Sequence, residues 1–396
     1  MSKHYTANRT FFYGVLAVAF ISVLCYGTKV IAATPSLSTA NEKIVRTIAV
    51  QLIMQTLENS ATFEEASSKI GVTPDELRDL CIALKIEIDF PSQEVKPVPI
   101  ASLEKLTDKN FEAESILKYN GLSPYVILVD KSAHTLYLLE YENGERKNVL
   151  AFDCETGRNS GDKREEGDNK TPEGIYLIIN KYSRSEILRL VGRNKAYQYG
   201  EMAFVINFPN PLDHAEGKNG GGIWLHGRDE PPDNSQPNGT HGCVVVTNET
   251  IKMISKYVKL NSTPIIIVDK LKILPKEDTE TKSNEILELV EKWRSAWETK
   301  SIDEYISYYS PSFISQGRNR TQWKNYKADR VFRYVNINHI KLDNFAIFQH
   351  GNEMVVHFLQ DYSASNLSGK GIKTLYLRPG KYFWEIVAES IRSIPR

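Results

Sequence analysis

The sequence predicts a multidomain protein: a small N-terminal helical module, a β-rich middle domain and a C-terminal α+β cone. Three observations point there. A chain of 396 residues exceeds what one hydrophobic core usually organises. The apolar pattern switches at Tyr125 to runs suited to strands, and at Ile286 to a helical stripe followed by long strands. Charged, proline-bearing stretches at Pro91 to Pro99 and Pro275 to Ser283 read as connectors. The parts fall at residues 1–33 (terminal segment), 40–90 (helical module), 91–121 (linker and short helix), 122–271 (middle domain) and 284–393 (cone).

Residues Phe11 to Thr28 carry no charge, follow Lys3 and Arg9, and lead to Ile31-Ala32-Ala33. This pattern predicts export, through a cleaved signal peptide or an uncleaved anchor in the inner membrane, and places the protein in the periplasm or cell envelope. Lysine plus arginine and aspartate plus glutamate number 49 each, so overall charge favours neither nucleic acid nor an acidic polymer. The four cysteines, Cys25, Cys81, Cys154 and Cys243, lack the spacing of a zinc site or a disulfide framework, and no metal or cofactor is expected.

The helical module shows two start signals, Thr62-Phe-Glu-Glu65 and Thr73-Pro-Asp-Glu76. Each has a hydroxyl at the N-cap and a glutamate three residues on. With Gly71 between them the pair resembles a helix-turn-helix, but Asp75, Glu76 and Asp79 would face phosphates, which argues against nucleic acid. In the middle domain, Val126 to Val129, Leu136 to Leu139, Ile175 to Ile179 and Ile265 to Val268 read as strands. In the cone, Ile286, Val290, Trp293 and Trp297 form one helical stripe and read as core. Strands follow at Ile340 to Phe348, Glu353 to Ser363 and Gly371 to Ala388, the last run containing a turn at Pro379-Gly380.

The chemistry concentrates in Ile223-Trp224-Leu225-His226-Gly227 and Thr240-His241-Gly242-Cys243, with His226 seventeen residues before Cys243. A cysteine becomes nucleophilic when an imidazole takes its proton or pairs with its thiolate, and such pairing lowers the thiol pKa below its ordinary value of about 8.5. Glycine at 242 permits a strained turn there. Cys81 and Cys154, without a nearby histidine, read as small buried hydrophobes. Asp162, Lys163, Asp168 and Lys170 read as a solvated loop.

This segment resembles the L,D-transpeptidase (YkuD-type) catalytic domain, whose hallmark is histidine-glycine, a variable loop, then Ser/Thr-His-Gly-Cys. Pro124 to Lys131, Thr156-Gly157, Ser160 to Lys163 and Thr171 to Tyr176 extend the similarity over about 150 residues. The resemblance implies Cys243 as nucleophile, His226 as base and the Gly227 carbonyl as the hold on the other imidazole nitrogen. His241 would shape the site, and backbone N–H groups near Gly242 and Cys243 would stabilise the oxyanion. Thr240 and Trp224 are the substrate-binding candidates. Val245 stands where many members carry arginine or asparagine.

The C-terminal order of helices and long strands, with Tyr305, Tyr308, Tyr309 and Phe313, is similar to an NTF2-like domain. That pairing is similar to helical-cell-shape carboxypeptidases. The implied activity is a peptidoglycan L,D-transpeptidase that forms a cysteinyl thioester with the stem peptide, releases D-alanine and passes the acyl group to an amine. The alternatives are an L,D-carboxypeptidase that trims tetrapeptide to tripeptide, and a non-catalytic wall-binding scaffold. The cone is expected to assist substrate placement or to form a homodimer, with Tyr305, Tyr308 and Trp323 as pocket or interface candidates, or equally as core, and with catalysis on small substrates surviving its removal.

Overall fold

The computed structural model describes residues 53, 56, 63–72, 77, 101–229, 239–381 and 383–394. The chain divides into two compact units, one ending at Val95 and one beginning at Lys96. In the first, helix α1 (Phe63–Ile70) buries Ala66 and stops at Gly71, whose φ of 82° favours glycine; Leu77, buried, is again helical. The export segment, Thr62 and the Thr73–Glu76 cap lie outside the described residues. Among the described residues no helix is long and apolar enough to cross a membrane.

The second unit opens with helix α2 (Ala101–Thr107) and strands β1 (Phe111–Ala113) and β2 (Ile116–Tyr119). The sequence predicts a linker and a short helix over 91–121, and the two strands are the addition. Ala113, Ile116, Leu117 and Tyr119 are buried, and that apolar area is what turns the segment into structure.

Next come β3 (Tyr125–Asp130), β4 (Thr135–Glu142), β5 (Glu145–Asp153), β6 (Gly174–Ser183), α3 (Arg184–Val191), β7 (Met202–Ile206), α4 (Pro211–Ala215), β8 (Trp224–His226), β9 (Val244–Val245), α5 (Asn248–Ser255) and β10 (Pro264–Val268). Their sheet runs β5-β4-β3-β10-β6-β7-β8-β9. The unbroken apolar runs of β3 and β10 occupy the middle, parallel to each other and almost wholly buried, as such runs require. Asn143-Gly144, both at positive φ, close the β4–β5 hairpin.

The tail comprises β11 (Ile273–Pro275), α6 (Lys276–Glu298), α7 (Ile302–Ser307), the hairpin β12 (Ile314–Ser315) and β13 (Arg318–Asn319), α8 (Arg320–Tyr326), a π-helical turn Lys327–Phe332, and β14 (Ile337–His350), β15 (Glu353–Ala364), β16 (Ser368–Pro379) and β17 (Trp384–Ser393). Helix α6 begins ten residues before Ile286, so Lys276 to Ser283 is helix and not connector. Pro275 precedes its first turn, and Glu277 and Asp278 there face the positive end of the helix dipole. The predicted Gly371–Ala388 run divides at Pro379-Gly380 into two paired strands. The sheet order β17-β16-β15-β14-β2 shows that a strand from before the middle domain completes it.

Trp293, Trp297, Tyr305 and Trp323 are buried in the tail core, so Tyr305 and Trp323 are not pocket residues. Tyr308 lines a groove of about 730 Å³ with Phe383 and Trp384. A second core joins Val126, Leu128, Tyr137, Leu139 and Leu212 to Phe348, Val355, Tyr376 and Val387. The tail therefore packs on the middle sheet as one body, which replaces the expectation of a separable cone.

Candidate active site

The short parallel pair β8–β9 sets the site. Its register places Leu225 beside Val244 and His226 beside Val245, so Cys243, one residue before β9, arrives level with Trp224. The backbone N–H of Trp224 donates toward the sulfur, and the thiol lies 3.7 Å from the Gly222 carbonyl. Val245, where the resemblance leads us to look for arginine or asparagine, is buried within this ladder.

His226 is buried, and its Nδ1 lies 2.7 Å from the Gly227 carbonyl oxygen. A carbonyl only accepts, so Nδ1 carries the proton and Nε2 is left with a lone pair able to take one. The Tyr199 ring packs on the imidazole with centroids 4.9 Å apart, and Trp224 packs between Tyr199 and Tyr182. Burial lowers the His226 pKa to about 4, with the Arg228 charge adding to it, while the Gly227 bond works in the opposite direction. Arg228 is fixed by Glu155 at 2.9 and 3.0 Å.

Burial likewise pushes the Cys243 thiol up to about 11, against lowering by the Trp224 N–H and the Lys163 charge. The resting pair is thus neutral thiol and neutral imidazole. Cys243 is half-buried, and its surroundings push the thiol above its ordinary pKa and not below it, the reverse of the expected direction. Such a site acts by proton transfer during attack instead of holding a preformed ion pair.

The Cys243 turn is tightly built. Thr240 Oγ1 accepts from Gly242 N–H (3.0 Å) and donates to the Cys243 carbonyl (2.8 Å). Thr240 thus braces the nucleophile's backbone, and the Gly242 N–H is spent on it instead of on an oxyanion. Gly242 has φ 124°, and a Cβ there would lie 2.6 Å from the Lys170 carbonyl. A Cβ at Gly227 would lie 2.3 Å from Asn248 Oδ1. His241 is exposed. Trp224 reaches the thiol through its backbone and the imidazole through Tyr199. Residues 230–238 of the loop between the two motifs lie outside the described residues.

The loop from 157 to 173 is only partly the solvated segment its charges suggested: residues 158–160 and 164–167 are exposed, but Asp162, Asp168 and Lys170 are half-buried and Lys163 is buried. Lys163 is buried and donates to Asp168 (2.7 Å) and to the Glu165 carbonyl (3.0 Å). Asp168 also accepts from the N–H groups of Arg164, Glu165 and Lys170, and these bonds outweigh its burial to lower its pKa to about 2. Lys131 donates to the carbonyls of Gly161 and Thr171 and to Glu173. Thr171 Oγ1 donates to the Gly242 carbonyl at 3.0 Å, so the loop touches the nucleophile's turn. Sequence reading places Lys131 and Thr171 inside the matched motifs but gives them no contacts, since the Thr171 partner lies 71 residues away, and it misses Lys218, which pairs with Asp213 and with Asp162 on the loop. Cys154 is buried, with its thiol well above its ordinary pKa, in keeping with a structural role. Among the described residues no group of side chains could hold a metal ion.

Comparison with known proteins agrees with this layout. The YkuD L,D-transpeptidase catalytic domain matches residues 124–267, and the Cds6 C-terminal NTF2-like domain matches residues 285–390. Among solved structures, the chain is similar to Bd1075 of Bdellovibrio bacteriovorus at 30% identity, covering 72% of this chain and 99% of that one, with a TM-score of 0.61. It is also similar to the helical cell shape determining protein Pgp2 of Campylobacter jejuni at 26% identity, covering 73% and 97% of the two chains, with a TM-score of 0.56. No curated protein matches.

Proposed function

The chain belongs to the cell-wall L,D-transpeptidase and carboxypeptidase family that carries a YkuD catalytic domain followed by an NTF2-like domain, and on that premise we propose that it is an L,D-carboxypeptidase of peptidoglycan stem peptides. YkuD domains act on peptidoglycan peptides, and the β8–β9 register that brings Cys243 beside the strand carrying His226 is the observation that carries the chemistry. Cys243 Sγ attacks the carbonyl of the bond to terminal D-alanine as its proton passes to Nε2 of His226. The tetrahedral intermediate collapses as that proton moves to the departing amine, leaving a thioester and free D-alanine. Water, deprotonated by the same imidazole, then attacks the thioester and returns the thiol and a tripeptide.

The choice of water over an amine rests on the two-domain architecture, a YkuD domain followed by an NTF2-like domain, which is also the reach of the similarity to the cell shape determining protein Pgp2. The whole-chain architecture is the one that resembles the shape carboxypeptidases. Transfer to an amine is the second reading, favoured by the catalytic-domain match alone. The substrate requires an envelope location, in line with the Phe11 to Thr28 segment.

Disaccharide-tetrapeptide incubated with the protein should yield disaccharide-tripeptide and D-alanine by mass, and Cys243→Ala should yield neither. Cross-linked products in place of tripeptide would make it a transpeptidase. D-alanine release by the alanine variant would sink the nucleophile assignment.

A further inference from the structure

Arg378 stands on β16 of the tail, yet its bonds run into the middle domain. Its Nη2 donates to the Leu212 carbonyl (3.0 Å) and to Glu216 (3.3 Å) at the end of α4, and is anchored on its own sheet by Glu353 at 2.5 Å. Glu216 also meets Lys218 and Arg164, each at 3.5 Å, and Arg164 belongs to the catalytic-side loop. Lys218, itself buried, joins Asp213 (3.0 Å) to Asp162 (2.7 Å). Asp162 accepts from the Glu173 N–H at 2.8 Å. Two residues earlier, Thr171 bonds the Gly242 carbonyl beside the nucleophile. The loop is tied to α4 a second time, as Asn219 N–H donates to the Arg164 carbonyl and Asn219 Oδ1 accepts from Glu166 N–H.

From this arrangement we propose that Arg378 is a positioning residue for the reaction: the tail holds the 157–173 loop, and through it the Cys243 turn, in the geometry that receives the stem peptide. The proposal rests on the carboxypeptidase reading for its substrate. Physical continuity alone does not establish coupling, but the links converge: the ion pairs of Lys218 with Asp213 and Asp162 and the Thr171 bond to Gly242 are 2.7–3.0 Å long and well buried, while the outer ion pairs through Glu216 are partly exposed at 3.3–3.5 Å, and charge-assisted bonds of the inner kind fix geometry most firmly. The same unit holds a built-in comparison. Arg392, on β17, also crosses from tail to middle domain, donating to the Asn261 carbonyl at 2.9 Å, but Asn261 lies before β10 and away from the loop. Both arginines tie the domains together, and only Arg378 leads to the site.

The test uses the full chain carrying Arg378→Ala, Arg378→Lys, Arg392→Ala, Asp162→Asn and the double variant Arg378→Ala/Asp162→Asn, with D-alanine release and amide hydrogen exchange measured on each. Arg378→Ala should raise KM about tenfold, the effect typical of neighbours in one hydrogen-bonded network, with kcat changed much less. Asp162→Asn should do the same, and the double variant should add little more. Arg378→Lys, which keeps the charge with fewer bonds, should fall between and guards against misfolding of the alanine variant. Exchange protection of residues 158–170 should drop in Arg378→Ala and hold in Arg392→Ala. Equal kinetic effects from the two arginines, or effects of Arg378 and Asp162 that multiply, would overturn the proposal. Should the parent protein release no D-alanine, the carboxypeptidase reading fails and hydrogen exchange decides this proposal independently: unchanged protection of the loop in Arg378→Ala rejects it.

Discussion

At the scale of single residues, the site is defined by two neutral partners in a dehydrated setting. His226 titrates near 4 and Cys243 near 11, so across neutral pH the imidazole is ready to accept and the thiol still holds its proton. The acid limb of kcat/KM should therefore lie near pH 4, since the free enzyme loses its base only there. Alkylation of Cys243 by a neutral electrophile should keep accelerating up to pH 10. A plateau reached by pH 7 would instead show a preformed thiolate. The participants were legible in the sequence, because histidine-glycine and Thr-His-Gly-Cys are local. Their protonation was not, since it depends on Arg228, on Lys163 and on burial, and burial depends on strands distant in the chain.

At the scale of elements, the strands of the middle domain were readable because β3 and β10 carry continuous apolar runs, the mark of strands covered on both faces. The start of α6 was not, since Lys276 to Ser283 is so charged that periodicity misses it, although Thr279 and Ser283 are buried on its inner face. The π-helical turn holds a feature that no local pattern announces. Lys327 is buried with its ammonium 4.1 Å from the Trp297 ring and 5.1 Å from that of Trp323. Burial, only partly countered by Glu389, brings its pKa down to about 7. Between that value and the ordinary 10.5, the unfolded chain binds the proton that the folded one lacks, so this group makes stability rise with pH. Lys327→Met should flatten that rise and raise the melting temperature at pH 7 by several degrees, at ~2–4 °C per kcal/mol for a domain of this size. A calorimetric scan of both proteins at pH 7 and pH 9 checks it, and equal pH dependence in the two would exclude the lowered Lys327 pKa.

At the scale of the molecule, two family matches suggest two beads, whereas the packing joins them. Val126, Leu128 and Tyr137 are covered on one side by Phe348, Val355 and Tyr376, and uncovering each such side chain costs about 1.5–3 kcal/mol. Deleting residues 284–396 should thus abolish activity on soluble tetrapeptide and polymeric wall alike. Hydrolysis of the tetrapeptide at the parental rate by the truncated chain would restore the two-bead view. The separable cone was the natural sequence reading, because each half shows its own motif and nothing local in Ile116 to Tyr119 says that it pairs with Ala346 to Phe348.

That pairing has a consequence in time. A chain delivered N-terminus first presents β2 more than two hundred residues before the partner that completes its ladder, and contacts of such long separation close late. His226 and Cys243 emerge well before Phe348, Val355 and Arg378, the residues that close the second core and the bonds to the Leu212 carbonyl and Glu216. The order of the chain thus makes the tail a clock for the fold: the shared core is complete only once the last strands have arrived.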